Sequence, residues 1–135
     1  MGEFGLVIQS RDRGASWTVV RKGGAALFGL SMNDQGIGMA VGQNGTVLRT
    51  NDGAASWQQV ETNVNTNLLG VGFAGQNAFA VGFRIALQSN DGGTTWQRAS
   101  FGDLNTEWYE TAIASPASSN FILAGHSGRI AEVTK

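Results

Sequence analysis

Ala40-Val41-Gly42-Gln43-Asn44-Gly45-Thr46-Val47-Leu48-Arg49-Thr50-Asn51-Asp52-Gly53-Ala54-Ala55-Ser56-Trp57 is the stretch whose reading decides the fold. Its last eight residues recur as Ser10-Arg11-Asp12-Arg13-Gly14-Ala15-Ser16-Trp17 and as Ser89-Asn90-Asp91-Gly92-Gly93-Thr94-Thr95-Trp96. The shared pattern is Ser/Thr-x-Asp-x-Gly-x-Ser/Thr-Trp, with Ala54 standing for the glycine in the middle copy. The tryptophans fall 40 and 39 residues apart. One tight turn per copy at that period is the pattern of a blade-by-blade β architecture.

The repeat reaches beyond the turn. Gly2–Ser10, Gly42–Thr50, Gly82–Ser89 and Gly125–Val133 are versions of one Gly-turn-strand segment, the third being one residue shorter. Two further strand types recur. One is Leu27–Met32, Leu68–Phe73 and Trp108–Ile113; the other is Met39–Gly42, Phe79–Gly82 and Ile122–Gly125. Each piece is short and bounded by Gly, Asn, Asp or Ser, the rhythm of strands and turns. No window sustains apolar residues at helical spacing. Twenty glycines and a single proline suit many tight turns between sheet strands.

The Asp turn has a physical logic. Its carboxylate accepts hydrogen bonds from backbone N–H groups of the turn that follows. Gly53 or Gly93 takes an unusual dihedral, and the Ser/Thr before the tryptophan closes the turn. The tryptophan then begins the next strand and buries its ring. Three equivalent copies read as structural corners rather than as a ligand or cation site. Ser10, Asp12, Gly14, Trp17, Thr50, Asp52, Trp57, Ser89, Asp91, Gly93 and Trp96 are therefore assigned to scaffold, with the three tryptophans expected to be buried and equivalent.

The Ala-Val-Gly strand, the Gly-x-x-Gly turn and the Asp turn of residues 40–57 together resemble the Asp-box (BNR-type) repeat. More narrowly, they resemble the photosystem II stability/assembly factor-like group of β-propellers, and the resemblance covers essentially the whole chain. It implies four-stranded blades with the Asp box joining the third and fourth strands. It also implies a scaffold of membrane-protein assembly outside the cytoplasm, in a periplasm or thylakoid lumen, without chemistry of its own. The Asp box by itself is shared with sialidases, xyloglucan-degrading propellers and sortilin-type receptors.

Composition narrows the function classes. A chain of 135 residues with 41% hydrophobic content builds one domain with a core. A formal net charge of −1 speaks against a nucleic-acid partner, which asks for a basic face. Arg11, Arg13, Arg21 and Lys22 form the one local basic cluster, read as a solvated turn rim. No apolar stretch is long enough to cross a membrane, so no direct membrane insertion is expected. Gly2-Glu3-Phe4 already belongs to a repeat, so no signal peptide is expected here. Absence of cysteine excludes disulfides and thiolate metal sites.

Catalytic constellations are weak. His126 is the one histidine, which rules out a multi-histidine metal site in a single chain and leaves a Ser-His-Asp triad without a nucleophile motif. The Gly-rich turns link strand to strand, not strand to helix, so they are not phosphate loops. A sialidase would need several arginines with a tyrosine and acids. Tyr109 lies beside Glu107 and Glu110, but it aligns with Phe28 and Leu69 of sister repeats and reads as core or rim. A two-carboxylate glycosidase would draw on Asp34, Asp103, Glu107 and Glu110, and nothing in their spacing joins them. No enzyme activity, cofactor or metal is expected.

Residues 101–110 depart most from their sister copies. Trp108 replaces Leu68 there, and Trp and Tyr are frequent interface anchors. Trp108 and Tyr109, with Arg49, Arg84 and Arg129 on or beside third strands, are the candidate partner-binding residues. The function expected is a non-enzymatic scaffold or protein-interaction module. One alternative is a carbohydrate-binding or glycoside hydrolase-derived propeller module. Another is an excised or engineered repeat fragment whose activity is self-assembly.

The expected architecture is all-β, with propeller blades of four antiparallel strands and about three blades per chain. A partial blade spans 2–20, full blades 27–60 and 67–99, and a partial blade 107–134. Open blade faces and strand edges predict a homo-oligomer, with a dimer favoured. Residues 15–20 of one copy would supply the missing outer strand of another, with the duplicated strand at 5–10 or 128–133 displaced or paired at an edge; a larger ring or a swapped assembly is the alternative.

Overall fold

The computed structural model describes residues 1–102, 104, 106–115 and 120–134. The first sheet pairs β1 (Val7–Gln9) with β2 (Thr18–Arg21). The second runs β3 (Leu27–Met32), β4 (Gly38–Gly42), β5 (Val47–Thr50) and β6 (Gln58–Val60) in that order. The third runs β7 (Leu68–Ala74), β8 (Asn77–Gly82), β9 (Ile85–Ser89) and β10 (Gln97–Arg98), again as neighbours. The fourth holds β11 (Tyr109–Ala114), β12 (Phe121–Gly125) and β13 (Ile130–Val133). Every pairing is antiparallel, the arrangement of consecutive propeller blades. The outer strands start one residue after each turn tryptophan, not on it, because the Asp turn closes around the ring first.

The apolar core lies between the sheets. Val7 of the first sheet meets Leu27, Ala40 and Leu48 of the second. Met39, Val41 and Val47 of the second meet Val71, Phe73, Ala80 and Leu87 of the third. Phe79, Val81 and Ala86 of the third meet Tyr109, Ala112, Phe121 and Leu123 of the fourth. Strand alternation sets this arrangement: odd and even positions of each middle strand face opposite neighbours. The innermost strands approach at backbone distance. A Cβ on Gly29 would meet the Leu69 carbonyl oxygen at 2.8 Å, and one on Gly70 would meet the Glu110 carbonyl oxygen at 2.6 Å.

Register corrects two alignments. Tyr109 pairs with Gly125 as Leu68 pairs with Gly82 and Leu27 with Gly42, each just before a bulge. Tyr109 therefore occupies the Leu27 and Leu68 position, not that of Phe28 and Leu69. Trp108 stands where Ala26 and Asn67 stand, and its carbonyl accepts the His126 N–H as theirs accept those of Gln43 and Phe83. The two-residue match Trp-Tyr against Leu-Leu hid this shift of one, because both pairs are apolar.

The tryptophans are equivalent in sequence but not in burial. Each ring turns toward the preceding sheet. Trp96 meets four strands there and is 8% exposed. Trp57 meets the two-stranded first sheet and is half-buried, its indole N–H unpaired. Trp17 belongs to the first sheet, with no described sheet before it, and is 60% exposed. The expectation of three equally buried rings is thus corrected: burial follows the neighbouring sheet, not the motif. Trp96→Ala is expected to destabilise by about 3–5 kcal/mol, the cost of emptying a large aromatic site. Trp17→Ala should stay under about 1 kcal/mol as a surface change. Urea unfolding of the two variants measures the contrast, and equal losses would contradict it.

Candidate functional site

The three Asp turns join β1 to β2, β5 to β6 and β9 to β10, the third and fourth strand positions. In each, one carboxylate oxygen accepts a Ser/Thr hydroxyl from two residues before and a backbone N–H from four residues after. For Asp52 these are Thr50 Oγ1 at 2.8 Å and the Ser56 N–H at 2.9 Å. The other oxygen accepts the hydroxyl of Ser16, Ser56 or Thr95 at 2.6 Å. Ser10, Thr50 and Ser89 in turn accept the N–H of Gly14, Ala54 and Gly93. These hydrogen bonds stabilise the anion and hold all three carboxyls at about 2, the hydroxyl of the following Ser16, Ser56 or Thr95 contributing most.

Between blades the turns are clamped from outside. Gln9 Nε2 donates to the Gly53 carbonyl and Arg49 Nε to the Gly92 carbonyl, both at 2.6 Å. Gln9 and Arg49 are repeat equivalents, so each third strand reaches the next blade's Asp turn. Arg49 is thereby a joint between blades, and its half-buried guanidinium belongs to that role.

On the opposite end of the sheets the Gly turns gather a second group. Trp108 stacks on His126, with ring centroids 4.1 Å apart, and meets Phe83 at 5.7 Å, tilted. A backbone bridge joins Phe83 to Trp108. Phe83, Arg84 and His126 are exposed and Trp108 half-buried. Arg129 pairs with Glu107 at 3.3 Å beside them. Arg84 sits at φ +54°, a left-handed conformation uncommon for a bulky side chain. It lines a cavity of about 110 Å³ with Arg98 and Phe101. The structure thus brings Trp108, Arg84 and Arg129 to one end. Arg49 and Tyr109 are elsewhere: Tyr109 is 2% exposed, in the core with its ring against Phe101, and offers no anchor surface.

Phe83 escaped the sequence reading, and His126 was weighed there only as a metal ligand or a triad member. Both hold the position after the invariant turn glycine, where Glu3 and Gln43 stand in the sister copies. An aromatic in two successive blades was the available signal.

Among the described residues, Asp34 and Glu107 lie apart. Asp34 lies in the β3–β4 hairpin, at the end of the sheets opposite to Glu107. Glu107 is held by Arg129. Asp103 lies outside the described residues. Among the described residues no group of three His, Asp or Glu side chains gathers as metal ligands, and no helix is long and apolar enough to cross a membrane.

Antiparallel four-stranded sheets stacked face to face, each closed by an Asp turn between its third and fourth strands, define an Asp-box β-propeller. The chain belongs to the family described as photosynthesis system II assembly factor YCF48, whose model matches residues 16–107. A structure of YCF48 bound to D1 peptide superposes with a TM-score of 0.69 at 22% identity, over 80% of this chain and 37% of that one. YCF48 from Cyanidioschyzon merolae superposes at 0.68 with 25% identity, over 80% and 36%. An ancestral GH74 enzyme superposes at 0.66 with 19% identity, over 98% of this chain and 23% of that one, a likeness of fold alone. The chain spans little more than a third of the YCF48 structures' length. No curated protein matches it.

Two outcomes follow from the turns. Their carboxyls are depressed from an ordinary value near 3.9, so they stabilise the fold fully above about pH 4 and progressively less toward pH 2. Carbon-13 titration of Asp12, Asp52 and Asp91 should give midpoints near 2; midpoints near 4 would mean disordered turns. Ala54 holds φ +69° where the sister copies have Gly14 and Gly93. Ala54→Gly should raise stability by about 0.5–1 kcal/mol, relief of a left-handed alanine outweighing one lost buried methyl. Denaturant midpoints decide the sign.

Proposed function

We propose that the chain is a non-enzymatic scaffold that binds a polypeptide partner on the Phe83–Trp108–His126 surface. The carrying observation is that three aromatic rings from two successive blades and their linker converge at one end of the sheets. They do so at positions that hold non-aromatic residues in the other repeats. Large rigid rings give contact area at little cost in entropy, and Trp leads the residue types found at binding hot spots. Arg84, exposed beside Phe83, supplies a fixed positive charge at the rim. Membership of the assembly-factor family and a family structure holding a D1 peptide support a protein partner over a sugar. A glycosidase reading would need a carboxylate pair across a cleft, and Asp34, Glu107 and Glu110 do not supply one.

The test is a titration of labelled D1 peptide against the chain by fluorescence anisotropy. Trp108→Ala is expected to weaken binding about 30-fold or more, the loss at a hot spot of about 2 kcal/mol. Arg49→Gln should leave affinity unchanged, since that side chain serves the neighbouring Asp turn. Binding insensitive to Trp108→Ala would remove this surface from the proposal. Turnover of a fluorogenic glycoside would replace it with the carbohydrate reading.

A further inference from the structure

Among the described residues, two groups of exposed apolar side chains fall on the two ends of the blade stack. At the leading end, Ile8, Trp17 and Val19 of the first sheet and Phe28, Leu30 and Met32 of β3 are exposed. At the trailing end, Ile113, Ile122 and Ile130 are exposed. Repeat register says what each should meet. Leu30 and Met32 occupy the positions of Val71 and Phe73, which are buried against Met39 and Val41 of the sheet before. Ile122 occupies the position of Met39 and Phe79, which cover the sheet after. Ile130 is 76% exposed where its equivalents Val47 and Ala86 are buried in the same way. The two ends are therefore the two halves of an interface that the chain already builds between its own sheets.

We propose that a second copy of this chain joins the two ends head to tail by exchanging a strand. The β1–β2 pair of one copy replaces β13 on β12 of the other. The result is one composite four-stranded blade, β11 and β12 from one copy with β1 and β2 from its partner. β1 and β13 are versions of the same third strand, so one position cannot hold both. β1 is the better anchored. Val7 is buried against the next sheet, and Gln9 clamps the Gly53 carbonyl. β13 pairs with β12 alone, places only the half-buried Ala131 and Val133 beside the core between the third and fourth sheets, and turns Ile130 to solvent.

The exchange covers the patches named above apart from Ile130, which leaves with β13 while Val7 of the second copy takes its place. In the register of β4 and β5, Ala124 pairs with Val7 of the second copy and Leu123 with its Ile8. Ile8, Val19 and Trp17 then face the third sheet, and Trp17 gains the four-stranded neighbour that Trp96 has. Ile113 and Ile122 face Phe28, Leu30 and Met32. Repeating the contact through the two-fold closes a ring of about six blades, within the range propellers adopt.

The new seam differs from the internal ones at its centre. Thr111 stands in the register of Gly29 and Gly70, and Ile113 in that of Gly72. At those glycines a Cβ already meets neighbouring backbone within 2.6–2.9 Å. Side chains there hold the inner strands of the two copies farther apart. The seam between copies is thus the loosest joint of the ring. The exchange brings the turn ahead of β1, with Glu3 at the His126 position, beside the His126 turn, whose N–H is held by the Trp108 carbonyl ahead of β13.

The chain has no cysteine, so introduced pairs report cleanly. Val7→Cys with Ala124→Cys should form a disulfide between copies on oxidation, giving a covalent dimer. The control pair, Ala124→Cys with Ile130→Cys, reports the unexchanged pairing of β12 with β13 inside one chain. In the wild-type chain, light scattering behind size exclusion should give twice the 14.2 kDa of one copy. Leu30→Asp with Met32→Asp should raise the dissociation constant at least tenfold with unchanged far-ultraviolet circular dichroism. Thr111→Gly should lower it. A monomer at micromolar concentration overturns the proposal. So does a dimer in which the control pair closes within each chain and the Val7–Ala124 pair does not. Loss of D1 peptide binding would bear on the docking surface alone.

Discussion

No sheet of this chain has a core of its own. Each apolar cluster lies between two sheets, and the side chains that fill it alternate with those that fill the next. Val7 is paired with Leu48, Met39 with Phe73, and Phe79 with Phe121, in three successive gaps. A four-stranded antiparallel sheet buries little by itself, so blade-on-blade packing supplies the stability. The same constraint explains why burial at a given motif position depends on the neighbour. The graded exposure of Trp96, Trp57 and Trp17 follows the strand count of the sheet each one faces.

Two smaller devices hold the stack in place. Close approach at Gly29 and Gly70 brings the innermost strands together, where side chains would force them apart. Farther out, the Asp turns are corners with every carboxylate oxygen hydrogen-bonded from within the turn. Gln9 and Arg49 then tie those corners to the preceding blade. The carboxylates are engaged in holding the turns, and partner binding is proposed at the other end of the sheets. There the Gly turns vary from blade to blade, and Phe83, Trp108 and His126 meet. Repetition builds the scaffold, and departure from repetition marks the surface on which partner binding is proposed.

Much of the architecture was legible in the residues. The recurrence of Ser/Thr-x-Asp-x-Gly-x-Ser/Thr-Trp located every corner, and the Gly-bounded apolar pieces located the strands between them. The turn geometry followed in part, since left-handed dihedrals fall on Gly14, Gly53, Gly92 and Gly93, with Arg13 and Ala54 the non-glycine exceptions. These are local features: a turn of a few residues carries its own hydrogen bonds, so its residue types announce it. The candidate site was legible only in part. Trp108 stood out as a departure from the repeat, but Tyr109 beside it is core, and Arg49 is a joint between blades.

The sequence by itself determined the fold class, the repeat unit and the Asp turns, because each rests on residues within one hydrogen-bonded turn or one strand alternation. Tertiary structure alone decided which side chains are covered. It set Trp17 in solvent and Trp96 in the core, made Arg49 a clamp between blades, and paired Arg129, which stands at the Thr46 position, with Glu107. It shifted Tyr109 inward by a single residue of register, which no pattern of apolar residues could resolve. It brought Phe83 and His126 onto Trp108 from turns more than forty residues apart. Burial and convergence are properties of the gap between two sheets, and that gap has no counterpart along the chain.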